Sequence, residues 1–294
     1  MSLSRYSIKS SKFNQSTKKY EEYIFQSPAF GISITKNGNN TFKIPLEPGE
    51  ALCIKEYIKQ LLSKGILIIP NTSKTEKEIL EFNNELGSSL PYICENGAAI
   101  KGLELLNSNL PKELILSKEK NNIIKIFEKS VPIDLQSKCK WLSDMDKKKQ
   151  SSIFGLVGEK LKMALDRKYT VPFIFDGIKS EKNELFKIVK KKGLALQEGG
   201  RVINLTDKVN KAKALQVFVR FFKKNNKNVK TIAVGDNYND LDMLKVSDFP
   251  CLVFNDKFTL DQIPINDLIV TNKPSPEGWA DVIKMALVKI NKNY

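Results

Sequence analysis

Apolar positions change their period twice along the chain. YIFQS (23–27) reads as a short buried strand, and GISITKNGNNTFKIP (31–45) as two alternating runs about Asn37-Gly38, a hairpin signal. PGEALCIKEYIKQLLSKG (48–65) has apolar residues at helical spacing and ends on glycine, which predicts an amphipathic helix and its stop. ILIIP (66–70) is continuously apolar, as strands buried on both faces are. A helix over TEKEILEFNNELG (75–87) and a strand at YIC (92–94), ending at ENGAAI, follow. From about 110 to 198 lysine-rich helical stretches such as NNIIKIFEKS and SIFGLVGEKLKMALDRK alternate with the strand-like runs YTVPFIF, LALQEGG and RVINL. Then KAKALQVFVRFFKK reads as a helix, TIAV (231–234) as a strand and NDLDMLKVS as a helix. CLVFN (251–255) and DLIVTN (267–272) are strands, and PEGWADVIKMALVKI closes with a helix. The expected fold is α/β: a Rossmann-like, doubly wound parallel sheet core over 19–109 and 199–294, with an inserted α+β cap domain over 110–198 and a flexible tail over 1–18.

Composition narrows the functional classes. The 294 residues allow one or two domains, and no apolar run approaches the roughly 20 residues of a membrane span. The polar start lacks the apolar stretch of a secretory signal. Cys53, Cys94, Cys139 and Cys251 form no C-x-x-C pair and the chain has no histidine, which argues against a disulfide framework or a zinc site and fits a reducing cytoplasm. The net charge of +15 raises the question of nucleic acid. Yet only Arg5, Arg167, Arg201 and Arg220 among 48 basic residues carry the guanidinium fork that reads phosphates and bases. Lysine is spread along every segment, so the charge reads as solvated faces that would still attract a small anionic ligand.

In an open α/β sheet, ligands bind beyond the carboxyl ends of the strands. Three groups fall there: Thr72, Ser73 and Lys74 after ILIIP, the ENG after YIC, and GDNYND (235–240) after TIAV. A hydroxyl can bond a phosphoryl oxygen, a lysine can neutralise its spreading charge, and carboxylates can hold Mg²⁺. Each motif also has an ordinary structural reading, Thr-Ser as a helix cap and GDxxND as a turn into a helix.

IIPNTSKT, ICENGAAI, GGRVINL, NKAKAL, AVGDNYNDLDML and SPEGWADVI together resemble the haloacid dehalogenase-like phosphatases, and within them the mannosyl-3-phosphoglycerate phosphatases. The resemblance runs from about residue 20 onward. It implies that Thr72 contacts the transferring phosphoryl group and that Lys211 steadies its charge. It implies Mg²⁺ at Asp236, supported by Asn239 and Asp240, with Ser73, Lys74, Asn96, Arg167, Gly200 and Arg201 toward a phosphorylated sugar-glycerate. Trp279 reads as core.

One motif departs from the resemblance. Such phosphatases begin with Asp-x-Asp-Gly-Thr, whose first aspartate is the nucleophile and a Mg²⁺ ligand and whose second is the acid and base. Here one register places Ser27 and Ala29 at those positions and another places Pro28 and Phe30, and the first aspartate anywhere is Asp134. A serine needs a neighbouring base to attack phosphorus, and no histidine exists to supply one. Glu21 and Glu22 fall at the wrong end of the expected strand, and the family's Ser-Glu-Pro in the cap reads Thr170-Val171-Pro172. The expectation is a degenerate phosphatase with Mg²⁺ binding weakened or lost, which binds a phosphorylated sugar-glycerate or a protein partner and neither membrane nor nucleic acid. The alternative is an active Mg²⁺-dependent phosphatase of mannosyl- or glucosyl-3-phosphoglycerate with an atypical nucleophile.

Overall fold

A computed structural model describes residues 8–14, 19–25, 33–35, 54–199, 201–225, 229–255 and 263–292, the first three segments through their strand pairing alone. Its central sheet has five strands in the order Ile269–Val270, Phe249–Leu252, Lys230–Gly235, Ser33–Thr35, Leu67–Ile68. Side chains alternate between its faces. Ile66, Ile68, Ile232 and Val234 pack against the helices Ile54–Ser63 and Glu277–Lys292. Ile69, Ala233 and Leu252 pack against Lys211–Asn225 and Leu241–Lys245. Burial on both sides is why ILIIP and TIAV are almost wholly apolar. Trp279 lies in the first of these two cores, as expected of it.

The sheet is mixed. Lys230–Gly235, Phe249–Leu252 and Ile269–Val270 run parallel, but Ser33–Thr35 is antiparallel to both its neighbours. The expected first strand, YIFQS, does not take the central place: Lys19–Phe25 pairs with Ile8–Asn14 in a separate antiparallel ribbon. A hairpin closed through a four-residue connection orders little chain, and antiparallel pairing suits so short a link. Ile8–Asn14 falls within the segment expected as a tail. Of the hairpin expected over 31–45 only Ser33–Thr35 is described, and the Asn37-Gly38 turn lies outside the described residues.

YIC also pairs differently from a parallel core strand. Tyr92–Cys94 turns back through ENGA onto Ala99–Lys101, which pairs with Glu113–Ile115. A single parallel bridge, Asn71 to Ile93, ties this small sheet to the core. The helix Glu76–Leu86 starts on a capping box in which the Thr75 hydroxyl accepts the Glu78 N–H and Glu78 accepts the Thr75 N–H. It ends at Gly87, in the left-handed conformation that spares glycine a steric cost.

The cap is a four-stranded antiparallel sheet in the order Leu194–Glu198, Ile203–Asp207, Thr170–Phe175, Cys139–Trp141. Its core gathers Ile123, Phe127, Phe173, Leu185, Val189 and Leu205 beneath the helices Lys120–Ser130 and Lys179–Lys191. Ile203–Asp207, which the sequence assigned to the core, pairs within this sheet, and no compositional change marks it as a member. The strand is recruited by pairing, with Gly199 N–H donating to the Val202 carbonyl (2.9 Å) and Leu205 lying between Leu196 and Val171. The two linkers are clasped together, as the Asp207 carboxylate accepts from the Lys118 N–H (2.9 Å) and ammonium (2.9 and 3.0 Å).

Candidate functional site

Two of the predicted loops are zipped together at the edge of the core. Thr72 N–H donates to the Ile93 carbonyl (3.0 Å), Asn96 N–H to that of Thr72 (2.9 Å) and Glu95 N–H to that of Lys74 (2.9 Å). Glu95 (φ 45°) and Asn96 (φ 61°) are left-handed, a conformation that asparagine tolerates and that costs glutamate. Gly97 follows at φ 96°, and a Cβ there would stand 2.3 Å from the Asn210 carbonyl oxygen. Glycine therefore lets the turn lie against the start of the helix that carries Lys211.

The third loop holds the acids. Asp240 is 1% exposed and Lys211 3%, and their Oδ1 and Nζ lie 2.6 Å apart. The other Asp240 oxygen accepts the N–H groups of Asp236 and Asn237, both at 3.2 Å. Asp240 is thus fully engaged in shaping the loop and holding the lysine. Gly235 makes room for it, since a Cβ there would come within 2.5 Å of the Asp240 Cβ. Gly235→Ala should push Asp240 off Lys211 and cost about 2 kcal/mol, read by urea unfolding.

Asp236 follows directly from the strand, its carbonyl held by the Asn255 amide (2.6 Å). Burial, then the charge of Asp240, pushes its carboxyl up to about 6, against the opposing pull of Lys211. Asn71 is wholly buried beside this group: its Nδ2 donates to the Lys211 carbonyl (3.0 Å) while its Oδ1 has no partner.

A cavity of ≈ 220 Å³ opens between core and cap, with Ser73, Asn96 and Asn239 on the core side and Gln197, Arg201 and Asn204 on the cap side. Arg167, 8% exposed, forms part of its wall. The Arg167 guanidinium donates to the Ser73 carbonyl (3.2 Å) and the Thr170 hydroxyl (2.9 Å), and its Nε to the Ala164 carbonyl (3.0 Å). Burial pulls its pKa below the ordinary arginine value, against the fields of Glu95 and Glu78. Glu95 anchors the same segment, its carboxylate accepting from the N–H groups of Lys168 (2.9 Å), Tyr169 (3.1 Å) and Thr170 (2.9 Å) and the Thr170 hydroxyl (2.7 Å). Glu76 adds ion pairs to Lys101 (2.8 Å) and to Lys168 (2.9 Å). Burial alone would raise the Glu76 carboxyl, but hydrogen bonds from the two ammonium groups hold it at about 2. Its stabilising contribution is present above the ordinary glutamate range and is lost as pH falls from there toward 2. Glu76→Gln should cost about 1 kcal/mol at pH 7 and nothing at pH 2, measured by chemical denaturation at both.

The structure brings together Thr72, Ser73, Asn96, Arg167, Arg201, Lys211, Asp236, Asn239 and Asp240 along the core–cap junction. Lys74 sits just before the helix Glu76–Leu86, and its ammonium pairs with Glu78 in the first turn (3.0 Å). Arg167 is not a solvated charge but a buried one. Ser27, Ala29, Pro28, Phe30 and Gly200 lie outside the described residues. The sequence reading missed Glu95, Gln197 and Asn204. Glu95 stood in a flagged motif, but its partners come from a segment more than seventy positions away.

The chain matches the profile of the haloacid dehalogenase-like hydrolases over residues 53–280. It belongs to that family. A glucosyl-3-phosphoglycerate/mannosyl-3-phosphoglycerate phosphatase of Persephonella marina is 30% identical over 245 residues, covering 80% of this chain and 90% of that protein. A mannosyl-3-phosphoglycerate phosphatase of Pyrococcus horikoshii is 27% identical over 205 residues, covering 66% and 80%. The haloacid dehalogenase-like fold is shared with the sucrose-phosphatase of Synechocystis, solved with sucrose and phosphate, at a TM-score of 0.52 and 12% identity over 79% of this chain and 88% of that one. It is shared likewise with a haloacid dehalogenase-like hydrolase of Bacillus subtilis, at a TM-score of 0.55 and 16% identity over 78% and 91%.

Haloacid dehalogenase-like phosphatases generally depend on magnesium. The described residues do not fit a complete site for it. No group of three or more His, Cys, Asp or Glu converges among them. Asp240 is spent on Lys211 and the loop backbone, which leaves Asp236 as the one open carboxylate of the motif. Mg²⁺ keeps several waters and takes one or two carboxylates plus substrate phosphate, so Asp236 would hold it with water and phosphate filling most of its shell.

Proposed function

We propose that this chain binds a phosphorylated sugar-glycerate between core and cap and does not hydrolyse it by the covalent aspartyl route. The observation that carries the reading is the absence of any aspartate before Asp134, set against the retained Lys211, Asp236 and Asp240. Family likeness supports the ligand class, since the relatives' names carry mannosyl- and glucosyl-3-phosphoglycerate.

Chemically, the nucleophile and the acid/base are both missing, each a contribution of orders of magnitude in rate. Recognition needs neither. The arginines can still attract an anion, and the Thr72 hydroxyl can meet a phosphoryl oxygen. Three free, buried cysteines, Cys94, Cys139 and Cys251, suit a reducing cytoplasm, and burial pushes their thiols up to about 12. No helix of the described residues is long and apolar enough to cross a membrane.

The test is calorimetric titration with mannosyl- and glucosyl-3-phosphoglycerate, beside a phosphate-release assay with Mg²⁺. Saturable binding without release above a protein-free control is expected. Turnover at a rate normal for the relatives would overturn the loss of mechanism. No binding of either compound would remove the ligand and leave a protein partner as the reading to pursue.

A further inference from the structure

Asn204 lies on the cap strand Ile203–Asp207, between Ile203 and Leu205, which both point into the cap core. Strand alternation therefore turns the Asn204 side chain to the opposite face, where it lines the cavity. It is 6% exposed, and its Oδ1 has no hydrogen-bond partner. An amide oxygen buried without a partner is a standing cost, which an apolar residue of similar size would avoid. Neither strand neighbour relieves it. Gln197, directly opposite, commits its own Nε2 to the Val209 carbonyl (2.8 Å), and Pro172 on the other side has no N–H.

The cavity lining mixes neutral polar groups with charged ones: Ser73, Asn96 and Asn239 from the core and Gln197 from the cap stand beside Arg167, Glu198 and Arg201. Amides and hydroxyls of this kind discriminate hydroxyl groups by matching donors to acceptors, whereas charged side chains select anions. We propose that Asn204 is a specificity-determining residue whose buried amide oxygen accepts a hydrogen bond from a hydroxyl of the sugar part of the ligand. The assignment rests on the ligand class given under Proposed function and adds the residue that distinguishes the glycosylated compound from its bare phosphoglycerate portion.

The experiment is calorimetric titration without Mg²⁺ of two probes, mannosyl-3-phosphoglycerate and 3-phosphoglycerate, into wild type, Asn204→Leu and Asn204→Ala. Wild type should bind the mannosyl compound more tightly. Both variants should bind it about tenfold more weakly, with 3-phosphoglycerate affinity changed less than about twofold. Asn204→Leu should melt at or above the wild-type temperature, because it removes the unpaired oxygen. Equal weakening of both probes, or of neither, overturns the assignment while sparing the ligand class. So does equal wild-type affinity for the two, or a clear loss of stability in both variants, which would make the amide structural. Wild type binding neither probe overturns the ligand class and this inference together.

Discussion

Lys211→Met is expected to lower the free energy of unfolding by about 3–5 kcal/mol near pH 7, the largest single effect at this site. The reason is the company the lysine keeps. Its ammonium meets a carboxylate at 2.6 Å with both side chains almost wholly buried. Removing the cation leaves Asp240 charged in a place that water does not reach, and the loop N–H groups at 3.2 Å then carry that charge alone. Urea unfolding followed by circular dichroism measures the loss. The cause separates from simple cavity formation in the double variant Lys211→Met with Asp240→Asn, which should recover part of the stability. A loss below about 1 kcal/mol would mean that the pair is solvated in solution.

Asp236→Asn should act in the opposite direction, stabilising the protein by about 1–3 kcal/mol at pH 8. The Asp236 carboxyl is raised from 3.8 to about 6 by burial and by its neighbour Asp240. A raised acid binds its proton more tightly folded than unfolded. The associated stability is present below the unfolded value near 4 and disappears as pH rises through about 6. Wild type should therefore lose stability between pH 4 and pH 7 at this position, and the asparagine variant should not. Thermal melts of both proteins across that range supply the test, and parallel curves would reject it. If the gain appears, the chain keeps an acid at the ligand edge at the expense of its own stability, as functional sites do.

These two effects describe one electrostatic arrangement. Lys211 is balanced by Asp240, and Asp236 is left facing the edge of the sheet with its charge disfavoured. A magnesium ion would relieve that strain, and an added carboxylate would complete its coordination. The nearby acid, Asp240, is engaged by Lys211 and the loop N–H groups. On the arginine side of the cavity, Arg167 lies buried with its guanidinium bonded to the Ala164 and Ser73 carbonyls and the Thr170 hydroxyl.

What the sequence determined by itself is the part of the molecule written in local pattern. ILIIP and TIAV announce strands covered on both faces, because a residue that meets no water on either side has no reason to be polar. The helix over TEKEILEFNNELG was placed from the sequence, and the capping box of Thr75 and Glu78 that starts it lies within four residues. Asp236, Asp240 and Lys211 were legible through a resemblance that rests on short, contiguous motifs. That residues 1–133 hold no aspartate was legible too, since such a count requires no fold to be seen.

Tertiary structure decided everything that depends on pairing over distance. Strand direction at Ser33–Thr35 and the membership of Ile203–Asp207 in the cap sheet follow from which neighbours are met, and strand composition does not encode direction. The ion pair of Lys74 with Glu78 forms only when the helix start brings the first turn back over the preceding loop. Glu95 gains its partners only when the cap segment Lys168–Thr170 is laid over it, and Asn204 its place in a cavity only when one forms on one face of its strand. A side chain's chemistry is set by what surrounds it, and here those surroundings come from residues far apart along the chain.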